Sequence, residues 1–297
     1  MGESKYLLGP MRIPFLILTP ACVVLGLGAA VWTAGRVSAL HFVLALIGAI
    51  SAHISVNVLN EYFDFKSGLD AQTEQTPFSG GSGTLQERPG LAKQALGTGL
   101  VSLGITALIG LYFLYLRGLL LLPLGLLGML VILVYTVWLT RNPLLCLIAP
   151  GVGFGPLMVM GTSFALTGEY TWTAFVASLV PFFLVNDLLL LNQFPDVEAD
   201  QRVGRRHFPI AVGRQTSSLV YGAFLLLDYV TIVLGVAFAY LPKFSLAGLL
   251  TLVIAVPVAV GAYRYANEIK RLTPLLSANV VINILTPLLV ATGLFIG

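Results

Sequence analysis

The chain has 297 residues, of which 57 % are hydrophobic and only 10 % charged, with a formal net charge of +3. A soluble domain carries about 25 % charged residues. The composition therefore excludes an ordinary soluble protein and implies a polytopic membrane protein, for which length does not count domains. We expect one integrated helical domain over residues 1–297 and no nucleic-acid partner.

Apolar stretches of about 20 residues mark membrane spans. Nine are read in chain order: Ile13–Ala34, Ala39–Asn60, Ala95–Leu116, Gly118–Thr140, Pro143–Gly168, Thr171–Leu191, Thr216–Leu241, Phe244–Tyr263 and Thr273–Phe295. The first is longer than a signal-peptide core and eight more follow it, so it counts as a span. The third and fourth touch at Arg117-Gly118, which implies a tight helical hairpin. Cys22 and Cys146 fall inside apolar spans without metal-ligand spacing, so neither a disulfide nor a thiolate metal site is expected.

Lys and Arg set orientation. With nine spans, one side receives 13 of them: Lys5, Arg12, Lys66, Arg88, Lys93, Arg141, Arg202, Arg205, Arg206, Arg214, Arg264, Lys270 and Arg271. The other side receives 3, namely Arg36, Arg117 and Lys243. This predicts a cytoplasmic N-terminus in a cell-membrane protein, with cytoplasmic loops at 61–94 and 192–215. The first loop contains the turn-rich run Thr76-Pro-Phe-Ser-Gly-Gly-Ser-Gly-Thr84, which lacks the Lys of a Walker-type phosphate loop.

Acid is scarce and clustered: 8 of the 13 Asp and Glu lie within Glu61–Glu87 or Asp196–Asp200. The first cluster reads Asn60-Glu61-Tyr62-Phe63-Asp64, then Asp70. The second reads Asn192-Gln193-Phe194-Pro195-Asp196, then Asp200. Asn60 to Asn192 and Asp64 to Asp196 are each 132 residues apart. That spacing fits a four-helix unit used twice, or coincidence. Spans three to six separate the clusters, an even number, so both face the same side.

His53, Asn57, Asn60, Glu61 and Asp64 share one face of the second span. Such a stripe faces either neighbouring helices or a wet cavity, because lipid exposure costs several kcal/mol per unsatisfied group. Asn192, Asp196 and Asp200 repeat at i, i+4 and i+8 if the helix continues past Pro195. Oxygen donors of this kind suit Mg²⁺, which keeps water and takes phosphate oxygens. Asn60, Asp64, Asp70, Asn192, Asp196 and Asp200 are the candidate metal ligands, positioned to hold two ions and a diphosphate between them. Asp64, Asp196 and Glu61 are the candidate catalytic residues, although Glu61 also reads as satisfying a helix neighbour. Arg12, Lys66, Arg141, Arg202, Arg205 and Arg206 are candidate phosphate partners, or plain positive-inside bias. Asp187 and Asp228 lie deep in spans, lining a cavity or satisfied by neighbours such as Asn186.

These motifs resemble the UbiA-type intramembrane prenyltransferases. Asn60-Glu-Tyr-Phe-Asp-Phe-Lys-Ser-Gly-Leu-Asp70 is similar to the N-D-Y-x-D-x-x-x-G-x-D form of the 1,4-dihydroxy-2-naphthoate (menaquinone) branch. The second motif, through Gly204-Arg205-Arg206, is similar to N-N-x-x-D-x-x-x-D-x-x-x-G-K-R, and Gly153-Phe-Gly-Pro-Leu-Met-Val-Met-Gly161 also resembles that branch. Glu61 stands for an Asp, Gln193 for an Asn, Arg205 for a Lys and His207 for a Thr. Arg141-Asn-Pro-Leu-Leu-Cys146 departs from a stretch with Gly and Glu, which bears on the acceptor more than on the chemistry. The resemblance implies nine helices around a central cavity, Mg²⁺, a polyprenyl diphosphate donor, a lipophilic aromatic acceptor, and prenyl transfer with loss of diphosphate. Tyr62, Phe63, Tyr135 and Phe194 are candidates to stabilise an allylic cation. Two other functions fit the residues: prenyl transfer to a non-aromatic lipid acceptor, and secondary transport, which also uses repeats and intramembrane polar groups.

Overall fold

The computed structural model describes residues 4–68, 81–135, 138–202 and 204–297. Every regular element among them is helical. Eight helices are long and apolar enough to cross a membrane: α1 Leu8–Ala34, α2 Ala39–Ser67, α3 Pro89–Arg117, α5 Pro143–Thr167, α6 Trp172–Asn192, α7 Arg214–Ala237, α8 Lys243–Arg264 and α9 Ile269–Ile296. The shorter apolar helix α4, Leu119–Val134, completes the expected nine. The fold is thus an all-α, integral membrane bundle.

Three boundaries differ from the sequence reading in ways that shape the site. α2 runs past Asn60 to Ser67 and stops at Gly68, whose φ of 76° provides a left-handed cap. Asn60, Glu61 and Asp64 are therefore helical residues. α3 starts at Pro89, a residue suited to a helix's first turn. α6 ends at Asn192, and a turn carries the chain into a short helix, Val197–Arg202. The i, i+4, i+8 register past Pro195 is not kept, because proline lacks the N–H that a continuing helix needs.

α5 contains Pro150 and Pro156 and widens into a π-helix at Gly153–Met160. Its glycines let it approach α6 closely. A Cβ on Gly151 would lie 2.2 Å from the Phe182 carbonyl oxygen, and one on Gly155 would lie 2.4 Å from that of Ser178. Gly151 N–H also donates to Asn186 Oδ1 at 2.6 Å.

The main core joins α1 with α6, α7, α8 and α9, through side chains such as Leu25, Leu184, Leu191, Tyr221, Ile232 and Ile282. α2 and α3 pack along each other, and α4 touches α2, α3 and α5 more sparsely. Trp32, Tyr115, Trp172, Phe238, Phe244 and Phe295 are exposed near the helix ends remote from both acidic motifs, the position of an interfacial aromatic belt.

Candidate functional site

Arg205 draws the two acidic motifs together. Its guanidinium pairs with Asp64 Oδ1 from the end of α2, and with Asp200 Oδ1 at 3.3 Å from the short helix after α6. Asn60 Nδ2 donates to the other Asp64 oxygen at 3.0 Å, and His207 Nε2 lies 3.0 Å from Asp200 Oδ2. Burial alone lowers the pKa of Arg205, but the charges of Asp64 and Asp200 outweigh it and hold the guanidinium above its ordinary value. The group is a fixed cation between two carboxylates.

This polar cluster forms one end of a cavity of about 510 Å³. Asn60, Asp64, Asn192, Asp196 and Asp200 line it, as do the cations Arg12 and Arg205. The rest of the wall is largely apolar and comes mainly from α2, α3, α4 and α5, including Ala49, Gly110, Leu124 and Leu157. Tyr135 and Gln193 also line it. His53 lines it too, with its Nδ1 2.7 Å from Thr19 Oγ1 and its ring edge-on to Phe154. For His53 the two sequence readings both hold: it bonds between helices and faces the cavity.

Other expected site residues lie elsewhere. Lys66, Arg141, Arg202 and Arg206 are exposed and outside the cavity wall. Glu61 is wholly buried, also off that wall, with Ser82 and Arg12 as partners. Asp70 lies outside the described residues. Phe194 is buried in the main core, and Tyr62 and Phe63 are half-buried and pack edge to face on each other away from the wall. Asp187 and Asp228 are fully buried and off the cavity, and Asn186 Oδ1 serves Gly151. The sequence does not single out His207 or Ser82 as a site residue: His207 marks a departure from the second motif beside the Arg pair, and Ser82 stands within the glycine-rich run.

The donors present fit a hard divalent cation. All are oxygens, and Asn192 Oδ1 is buried on the cavity side of α6 without a hydrogen-bond partner among the described residues. No three His, Cys, Asp or Glu side chains among the described residues form a metal cluster by themselves. Such a site supplies few protein ligands per ion and leaves the remaining positions to water and substrate oxygens, as Mg²⁺ requires.

The model of the family described as "UbiA prenyltransferase family" matches residues 19–296. A curated relative, the 1,4-dihydroxy-2-naphthoate octaprenyltransferase of Bacillus subtilis (strain 168), is 29 % identical over 205 residues, covering 67 % of this chain. The chain spans 63 % of that relative's length. A UbiA homologue from Aeropyrum pernix K1, solved in its apo form, has the same fold at a TM-score of 0.70 and 17 % identity, over 96 % of this chain and 98 % of its own. A UbiA homologue from Archaeoglobus fulgidus, solved bound to DMAPP and Mg²⁺, aligns at a TM-score of 0.60 and 14 % identity, over 99 % of this chain and 100 % of its own.

Proposed function

The chain belongs to the UbiA prenyltransferase family, and on that premise we propose that it transfers a prenyl group from a polyprenyl diphosphate to an electron-rich aromatic acceptor of the 1,4-dihydroxy-2-naphthoate type, releasing diphosphate and the proton or CO2 displaced from the ring carbon. The observation that carries this reading is the meeting of Asp64 and Asp200 at Arg205, at the polar end of an otherwise apolar cavity. The acceptor class rests on the Asn60–Asp64 motif and on the relative from Bacillus subtilis. The proposal places the chain, as a single domain, in the cytoplasmic membrane with both motifs on the cytoplasmic side.

Asn60, Asp64, Asn192, Asp196 and Asp200 would hold Mg²⁺, which when bound neutralises the departing diphosphate. Arg12 and Arg205 line the same end and supply fixed positive charge to the phosphate oxygens. The apolar walls from α2 to α5 exclude water from the allylic cation that forms as the C–O bond ionises. Tyr135, on the wall near the polar end, offers an aromatic face to that cation. The prenyl tail lies along the apolar part of the cavity.

The test uses purified protein in nanodiscs, labelled prenyl diphosphates of several lengths and a panel of acceptors, with and without Mg²⁺. We expect Mg²⁺-dependent product on the naphthoate-type acceptor. Asp64→Asn and Asp196→Asn should each lower turnover by about 100-fold or more, the scale of losing one preorganised charge-stabilising group. Product only on a glycerol-phosphate lipid would reject the aromatic acceptor, and uptake into vesicles without covalent product would reject the transferase.

A further inference from the structure

Asn57 and Glu61, one turn apart on α2, hold two other segments against that helix. Asn57 Nδ2 donates to the Met11 carbonyl at 3.1 Å. The Glu61 carboxylate accepts the Ser82 N–H at 3.1 Å on one oxygen and the Ser82 hydroxyl on the other, and Arg12 Nε lies 3.9 Å away. Glu61 is 0 % exposed. A carboxylate so buried needs donors of this kind.

The two segments are also fixed to each other. A Cβ on Gly9 would sit 2.2 Å from Thr84 Oγ1, the Arg88 guanidinium lies 3.6 Å over the Tyr6 ring, and Leu85 is completely buried beside Leu7 and Met11. Arg12 has φ 51° and ψ 53°, a left-handed conformation that few non-glycine residues adopt. Its backbone is held there by its own N–H to Gly9 at 2.8 Å and by the Asn57 bond to the preceding carbonyl. Arg12 and Gly81 both line the cavity, whereas Glu61 does not.

We propose that Glu61 is a positioning residue: it sets the Arg12 guanidinium and the Gly81-Ser82 backbone at the polar end of the cavity for the diphosphate, and ligates no metal itself. The proposal rests on the diphosphate-dependent reaction given above. Length matters here. An Asp at this position would draw the carboxylate back by about 1.5 Å, one C–C bond, and part it from Ser82.

The experiment measures inorganic diphosphate binding in saturating Mg²⁺, the half-saturating Mg²⁺ for turnover, and KM and kcat for prenyl diphosphate. The variants are Glu61→Gln, Glu61→Asp and Ser82→Ala, all in nanodiscs. Glu61→Gln keeps one acceptor oxygen for Ser82, turns an NH2 group to its other contact, and loses the charge facing Arg12. We expect weaker diphosphate binding and a higher KM, each by about tenfold, the scale of one charge-assisted contact. The kcat should fall by less than about threefold and the Mg²⁺ requirement should stay in place, as for any interaction made equally in the ground and transition states. Glu61→Asp should behave like Glu61→Gln, and Ser82→Ala should raise KM by a smaller factor. A collapse of kcat in Glu61→Gln with a raised Mg²⁺ requirement, while Glu61→Asp works normally, would overturn the proposal in favour of a ligand. Unchanged KM and diphosphate binding in all three folded variants would overturn it too, as would a wild-type protein that binds no diphosphate. If the wild type binds diphosphate, responds to Glu61→Gln, and still turns over no prenyl donor, the proposed reaction fails and the positioning role stands.

Discussion

Replacing Arg205 by Met separates its electrostatic role from its volume. The side chains of Arg205, Asp64 and Asp200 are 18 %, 8 % and 5 % exposed. Removing one member of a buried ion pair costs about 3–5 kcal/mol, because the remaining charge is left without compensation. Partial exposure of Arg205 and the His207 ring beside Asp200 reduce this to about 2–3 kcal/mol. At about 2–4 °C per kcal/mol for a chain of this size, the unfolding midpoint of Arg205→Met should fall by about 5–10 °C in Mg²⁺-free buffer. A divalent cation would then take over the lost neutralisation. At 100 times its Kd it contributes about 2.7 kcal/mol, so saturating Mg²⁺ should restore most of the midpoint. In the wild type Arg205 competes with the cation for Asp64 and Asp200, so at the same Mg²⁺ concentration the cation should bind more weakly and the protein should gain less. The assay is thermal unfolding in detergent across a Mg²⁺ titration, with Na⁺ at matched ionic strength as control. A variant as stable as wild type without Mg²⁺, or an equal Mg²⁺ gain in both proteins, would refute the reasoning.

Two further predictions concern topology and packing. Cysteines placed at Ser67 and Arg202, both exposed, should react with an impermeant thiol reagent only from the cytoplasmic side, and outside labelling of either would reject the proposed orientation. The native Cys22 and Cys146 are buried, which keeps the background low. Gly151→Ala forces a methyl group against the Phe182 carbonyl and the Asn186 side chain, and should cost about 1–3 kcal/mol in thermal unfolding. Gly97→Ala, where a Cβ meets open space, is the control that should show no such loss.

Eight of the helices were legible because each is long and apolar enough to cross lipid, the shorter α4 from its apolar run alone, and the shared site because an even number of spans separates two similar motifs. Asn60, Asp64, Asn192, Asp196 and Asp200 do line one cavity. Periodicity could not reveal what Glu61 touches, since Ser82 lies 21 residues on, inside the turn-rich run. Composition could not separate the exposed Lys66, Arg141, Arg202 and Arg206 from Arg205, which differs in reaching two carboxylates. The break after Asn192 was foreshadowed by Pro195, but where the chain went next depended on tertiary contacts.

The Asp64–Arg205 pair spans 141 residues of sequence, and that separation sets a timescale for making the protein. At about 5–20 residues per second, Asp64 leaves the ribosome about 7–28 s before the arginine that neutralises it. During that interval the last turn of α2 has no cation from the second motif. A carboxylate held at the bilayer centre would cost about 2.5–3.5 kcal/mol for the whole wait. At the end of a helix, water and headgroups can solvate it until α6 and the Arg205 segment follow. Placing the acids at the ends of their helices therefore serves assembly as well as access for the proposed diphosphate substrate.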